Sequence, residues 1–262
     1  MLPIHAHIAE QMDSRLLLLR REPKTILLHG ADNDISRRLL AARYPHATFS
    51  EHDHREKWLQ QAAQSRRAQS GWLGKLSGKG QIPQSHQPLT FRLPENSAEM
   101  LWSNLILHHT DNISDTLANW SQALHDNGML FFSHLGDQSL PEIRQILESR
   151  TLPYSAPTLV DMHDLGDALL EHQFYDPIVD TISLTLSYQS PTALLQDIAE
   201  LGIWQALRPS DEAAAQSLVQ QAWQQGSLKT LTLEIIQGHA LRKTLLQRIR
   251  IWCSFIRVSS RR

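Results

Sequence analysis

Cysteine is almost missing from this chain: Cys253 is the only one in 262 residues. A single thiol excludes an internal disulfide and a thiolate metal cluster, and it suits a reducing compartment. Long apolar runs are missing too. No stretch approaches the roughly 18 to 20 residues needed to span a bilayer, and no apolar leader follows Met1. An excess of one charge is also lacking, because 25 Lys and Arg stand against 27 Asp and Glu, a net of -2. That balance excludes a general bias toward nucleic acid. With 41% hydrophobic residues, the chain is long enough for one α/β domain with additions. A cytoplasmic protein is expected.

Histidine, by contrast, is plentiful, with fourteen copies. Their placement (His5, His7, His29, His46, His52, His54 and onward) shows neither His-x-x-x-His spacing on a helix nor a supporting set of cysteines. No metal site is expected from that pattern.

Glycine is scarce at the place where it matters most. The apolar run Ile26, Leu27, Leu28 leads into Gly30, a polar turn from Ala31 to Asp34, and a helical segment with Ile35, Leu39 and Leu40 on one face. Pro45 ends that helix, and a second short strand closes on Glu51 and Asp53. This is a βαβ unit with a glycine after its first strand and acids after its second. In such units the turn lets a nucleoside-type ligand approach the backbone, while the acid accepts hydrogen bonds from ribose hydroxyls. A tight turn under a ligand usually needs several glycines, because only glycine adopts positive φ freely. Here Asp32, Asn33 and Asp34 follow Gly30. Asn and Asp tolerate that region, but they bring bulk and charge. A ligand-binding turn would therefore need Asp32 and Asp34 facing solvent, or their charges offset by Arg37 and Arg38.

Along the rest of the chain, hydrophobic periodicity predicts helices over residues 4–20, 55–67, 139–149, 193–202 and 211–224. A further helix starts near Asp161 or His163, and another, capped by Ser114 or Asp115, runs to Leu124. Strands are expected at 89–93, 99–107, 129–135, 178–188 and 228–236. Residues 68–87, rich in Gly, Ser, Gln and basic side chains, read as a surface insertion. Alternating strands and helices imply a mostly parallel sheet, with an antiparallel edge supplied by the last pair. Residues 241–262 form a basic amphipathic tail suited to docking on a partner or an anionic membrane surface.

Three segments carry a family resemblance. LWSNLILHHTDNISDTLANWSQAL, HDNGMLFFSHLGDQSLPEIR and PTLVDMHDLGDALLEHQFYDPIVD resemble the class I S-adenosylmethionine-dependent methyltransferases. Within that class they are most similar to the malonyl-acyl-carrier-protein O-methyltransferases of biotin synthesis and the mitochondrial complex I assembly methyltransferase-like proteins. The match spans about residues 8–240. It implies a Rossmann-like fold with a seven-stranded, mostly parallel sheet, an antiparallel end strand and helices on both faces. It also implies a single domain over 1–240 with a helical cap over 161–226. S-adenosyl-L-methionine is the cofactor implied, held near His29, Gly30, Ala31, Asp53, His54 and Asn104. Asn104, His108 and Arg144 are the candidate catalytic residues. Methyl transfer to a carboxylate needs no general base, only alignment, and Arg144 is the candidate cation for orienting that carboxylate. The implied partner is acyl carrier protein, for which Arg66, Arg67, Lys75 and Lys79 offer a basic surface.

The departures fall at the cofactor. Where the family reads Asp-Leu-Gly-x-Gly-x-Gly, this chain reads Leu28, His29, Gly30, Ala31, Asp32, Asn33, Asp34, and the adenine-side acid is replaced by Leu89. The expected function is methylation of a malonyl thioester. The alternative is a methyltransferase fold kept as a non-catalytic partner-binding or assembly factor.

Overall fold

The computed structural model describes residues 3–18, 21–69 and 81–244. Helix α1 (Pro3–Arg15) places Ile4, Ile8 and Met12 on one buried stripe at intervals of four residues. The unit read from sequence follows as β1 (Thr25–His29), α2 (Ile35–Arg43) and β2 (Thr48–Asp53). Helix α3 (Glu56–Gln69) and β3 (Gln84–His86) complete the first half. The second half opens with β4 (Ala98–Asn104), α4 (Ile113–Ala123) and β5 (Leu124–Leu135). Then come α5 (Pro141–Ser149), α6 (Met162–Glu171) and β6 (Phe174–Ser187). The described elements end with α7 (Pro191–Glu200), α8 (Ile203–Leu207), α9 (Glu212–Gln224) and β7 (Thr230–Arg242).

These strands form one seven-stranded sheet in the order β3-β2-β1-β4-β5-β7-β6. Strand β1 lies inside it, parallel to β2 (Leu27 opposite Ser50) and to β4 (Leu27 opposite Leu101). Only β7 runs against its neighbours, pairing antiparallel with both β5 and β6. Because side chains alternate along a strand, Ile26 and Leu28 point to one face and Leu27 to the other. The first face packs on Ile8 and Met12 of α1, Leu40 of α2 and the buried faces of α7 to α9. The second packs on Leu117 and Trp120 of α4 and Leu165 and Leu169 of α6. Covering both faces is what the burial of β4, on successive residues from Met100 to Asn104, requires.

Several expectations are corrected in detail. The third strand is Gln84–His86, paired parallel with β2, whereas residues 89–93 form a turn and irregular chain. A short polar edge strand gives little hydrophobic signal, so composition pointed to an insertion there. Strand β4 stops at Asn104 because Leu105 turns left-handed, at φ 54°. Asn112, not Ser114 or Asp115, caps α4 by accepting from the Asp115 N–H. The helical cap expected over 161–226 is interrupted by β6, which is a strand of the sheet, so the helices over the strand ends are α7 to α9. Strand β7 runs on to Arg242, six residues past its expected end at 236. Lys75, Lys79 and tail residues 245–262 lie outside the described residues. Elsewhere, Asp161 caps α6 and Asp211 caps α9, each through a carboxylate that accepts a backbone N–H.

Trp102 ties the two sides of the unit together. It is fully buried in β4, stacks on Phe131 and donates its indole N–H to Ser36 Oγ of α2 at 2.8 Å. Trp102→Ala is expected to cost about 3 to 5 kcal/mol, the range for deleting a buried large aromatic. Leu17→Ala, at a side chain 71% exposed, should change stability by no more than about 0.5 kcal/mol. Urea unfolding of the two variants checks the contrast.

Candidate functional site

The turn after β1 is built from acids rather than glycines. Gly30, at φ +107°, donates its N–H to the His52 carbonyl and packs so closely that an added Cβ would lie 3.1 Å from Ile106 Cβ. Asn33 and Asp34 both adopt positive φ, at 59° and 73°, the conformation their short polar side chains tolerate. Neither Asp32 nor Asp34 faces solvent. Asp32 accepts from Ser36 N–H (3.1 Å), Ser36 Oγ (2.5 Å) and Asn104 Nδ2 (3.0 Å). Burial pushes its carboxyl above the usual range against those bonds. Asp34 takes a bidentate pair from Arg37 (2.6 Å to each oxygen) and a further bond from Arg66 (2.9 Å). The charge offset at Asp34 therefore comes from Arg37 and Arg66, not from Arg37 and Arg38, while Asp32 is met by the neutral donors of Ser36 and Asn104.

Arg66 also reaches Glu51 at 3.2 Å, where Gln84 donates at 2.6 Å. Burial pushes Glu51 up to about 7 even with Arg66 beside it. A basic surface that includes Arg66 is thus overturned, since its guanidinium is buried between two carboxylates.

Asp53, at the end of β2, is saturated. Its Oδ2 accepts from Ala31 N–H (2.6 Å) and Arg55 Nη2 (2.8 Å). Its Oδ1 accepts from Arg55 N–H (2.7 Å) and Arg55 Nε (3.0 Å), with His54 Nδ1 at 3.3 Å. Burial works against its charge, but Arg55 and these hydrogen bonds hold its carboxyl below the usual range. The Arg55 guanidinium carbon lies over the Trp58 ring, 4.2 Å from its centre. Its Nη1 is buried with no hydrogen-bond partner among the described residues.

Beyond this carboxylate the fold gathers histidines that are scattered in sequence. His108 and His109 lie 4.5 Å apart between ring centres, His54 and His109 5.1 Å, and His108 and His134 6.2 Å. His5 packs on the other side, against Trp58. Burial lowers His5 and His108 to about 3, and His29 and His134 to about 4. His108 and His134 each use Nε2 on a carbonyl, Leu201 and Thr158 respectively, at 2.7 Å. A carbonyl only accepts, so Nε2 carries the proton and the unpartnered Nδ1 is a bare lone pair. His29 is occupied as well, since its Nδ1 accepts the Trp120 indole N–H at 2.7 Å. No group of three or more His, Cys, Asp and Glu among the described residues is arranged to hold a metal ion.

The helices above the site are latched to the loop after β4. Leu201 takes the bond from His108, and Arg208 binds the Thr110 carbonyl (3.1 Å) and Asp111 (2.9 Å). Gly202 sits on His109 at φ +65°, and a Cβ there would fall 2.1 Å from the imidazole Cε1. Only glycine satisfies both demands. Asn104 lies beneath, donating to the His5 carbonyl and Asp32 and accepting from Ser133 Oγ.

His29, Gly30, Ala31, Asp53, His54, Asn104 and His108 thus gather at the C-terminal edge of β1, β2 and β4, where open α/β sheets bind ligands. Arg144 is not brought to them by any hydrogen bond among the described residues. It lies on α5, and its charge acts on Tyr154, which itself donates to Glu148. The cation in the cluster is Arg55, which periodicity had placed only at the start of a helix. A cleft of about 300 Å³ opens nearby between Leu89, Thr90, Arg92, Thr110 and Asn119, without reaching Gly30 or Asp53.

The strand order and the βαβ turn define a Rossmann-like fold of the class I methyltransferase type. A putative methyltransferase from Bacillus halodurans superposes with a TM-score of 0.58 at 11% identity, covering 90% of this chain and 99% of that one. A Haemonchus contortus phosphoethanolamine N-methyltransferase in complex with S-adenosyl-L-methionine gives 0.56 at 11% identity, covering 91% and 53%. No family model matches the chain. A malonyl-[acyl-carrier protein] O-methyltransferase from Gallionella capsiferriformans is 30% identical over 200 residues, 76% of this chain and 68% of that protein. One of the same name from Laribacter hongkongensis is 28% identical over 249 residues, 91% and 82%. The chain belongs to the malonyl-[acyl-carrier protein] O-methyltransferase family.

Two predictions follow from these buried charges. Arg66→Ala strands Glu51 and takes one of two guanidinium partners from Asp34, so a loss of about 3 to 5 kcal/mol is expected in urea unfolding. The second concerns pH. The four histidines lowered to about 3 or 4 bind protons more readily when unfolded. Their contribution is fully present above about 6.5 and is lost as pH falls toward their folded values. Glu51, raised to about 7, acts oppositely, and its contribution fades as pH rises through that value. Together the four histidines are worth about 5 kcal/mol between pH 7.5 and 5.5, and Glu51 returns about 2. A net loss of about 3 kcal/mol on acidification is expected; equal urea stability at the two pH values would show that the imidazoles are not held neutral.

Proposed function

We propose that this chain transfers a methyl group from S-adenosyl-L-methionine to the free carboxylate of a malonyl thioester carried on acyl carrier protein. The observation that carries the reading is kinship: relatives bearing that enzyme's name match 76% and 91% of the chain at 30% and 28% identity. The placement of Gly30, Asp53 and Asn104 at one sheet edge supports it. The non-catalytic alternative is not favoured, because relatives matching most of the chain carry the enzyme's name; of the two acids that spoke for it, Asp34 is paired with Arg37 and Arg66, and Asp32 is buried on Ser36 and Asn104.

The cofactor, when bound, supplies a methyl group activated on a sulfonium. The site as arranged does not receive it. An acid after the second strand serves a nucleoside by accepting from its ribose hydroxyls, and both Asp53 oxygens are already filled by Ala31 and Arg55. What the chain's own residues contribute is alignment and exclusion of water. A carboxylate is nucleophilic without a base, and none of the buried imidazoles has to move a proton. His108 holds the overlying helices through Leu201, a positioning role. Arg208 and Gly202 keep the same lid seated on the loop.

The direct test is incubation of the full chain with S-adenosyl-L-methionine and malonyl-acyl carrier protein, read by mass spectrometry for the methyl ester on the intact carrier. Formation of the ester is expected. Its absence, with no thermal shift on adding millimolar S-adenosylhomocysteine, overturns the reading.

A further inference from the structure

We infer that Arg55 is an internal occupant of the cofactor's ribose site, competing with the nucleoside for Asp53 and thereby setting how tightly the cofactor binds. The inference rests on the methyltransferase reading and resolves its misfit. Asp53 is the only acid at the end of β2 whose partners leave it facing the Gly30 turn, since Glu51 is committed to Arg66 and Gln84 on the other side. A ribose diol offers two neutral hydroxyl donors. Arg55 offers Nε, Nη2 and its backbone N–H, and ionised donors bind carboxylate about twice as strongly as neutral ones.

The guanidinium is also seated rather than merely close. It lies on the Trp58 face at 4.2 Å, and that indole in turn supports His5. Yet the seat is incomplete, because Nη1 is buried without a partner among the described residues. A buried donor left unpaired costs free energy that exposure to water would recover. The side chain retains some contact with solvent, at 13% relative exposure, so it has a route outward while Trp58 stays in place. Rotation of Arg55 away from Asp53 would free both carboxylate oxygens except for the bonds from the Ala31 and Arg55 backbones.

The test is calorimetric titration of S-adenosylhomocysteine into the full chain, its Arg55→Ala variant and the double variant Arg55→Ala/Asp53→Asn. Arg55→Ala is expected to bind about tenfold tighter or more, and the gain should vanish in the double variant, because it depends on the released carboxylate. Should Arg55→Ala fail to fold, Arg55→Gln keeps a polar side chain on Trp58 and is expected to show a smaller gain in the same direction. Equal or weaker binding by a folded Arg55 variant overturns the inference, as does a gain that persists without Asp53. The two readings fail separately. Tight, equal binding with methyl-ester formation removes the Arg55 role alone, whereas tighter binding by Arg55→Ala with no ester from any variant removes the methyltransferase assignment alone.

Discussion

Four carboxylates buried at one edge of the sheet govern the rest of this structure. Asp32, Asp34, Glu51 and Asp53 all lie at the C-terminal edge of β1 and β2, where an unpaired charge would cost several kcal/mol. Each must therefore find a partner, and the partners decide where the helices go. Arg37 fixes the first turn of α2 on Asp34, Arg66 pins the last turn of α3 between Asp34 and Glu51, and Arg55 holds the start of α3 on Asp53. Both ends of α3 are thus located by the turn rather than by apolar packing alone. Its own apolar contribution is small, a cluster of Trp58, Leu59 and Ala62 with Ala31.

The histidine array above the turn follows from the same economy of charge. Arg55 bears on His5, His54, His108 and His109, adding to burial in disfavouring their protonated forms. A site in which one guanidinium is neutralised by Asp53 and the surrounding rings stay uncharged is close to electrically neutral.

The fold was legible because its signals are local. The run of β1, the alternation of β6, and the segments around Ser103-Asn104 and Asp161 to Gly166 each lie within a few residues, and their order fixes a parallel sheet. The position of Gly30 and Asp53 was readable for the same reason. What sequence did not disclose is long in separation: Arg66 meets Asp34 across 32 residues, Asn104 meets Asp32 across 72, and His108 meets Leu201 across 93. Arg55 and Arg66 look like solvated helix residues by periodicity, and only the need to compensate buried acids draws them inside. One signal was available. Acids buried at the strand edge demand cations nearby, and Arg55, just before α3, and Arg66 within it lie on the face that also carries Trp58 and Leu59. The polar strand β3 gave no such cue, being held by its backbone pairing and by Gln84 on Glu51.

Replacing glycines by acids also changes what the turn can offer a ligand. A glycine turn presents free backbone N–H groups at the start of a helix, a ready site for anionic groups. Here the Ala31 N–H is taken by Asp53 and the Ser36 N–H by Asp32, so the first turn of α2 is capped from within. Asp32 thus performs for the helix what a ligand's carboxylate would otherwise do. Recognition at this edge must then come chiefly from side chains, which move more readily than a turn whose Gly30, Ala31 and Ser36 amides are already bonded. Of those available, Asn104 is fixed by three bonds and His5, His29 and His108 by burial. The guanidinium of Arg55 combines partial exposure with an unfilled donor, which places control of the site in a side chain rather than in the backbone cradle that glycine would have made.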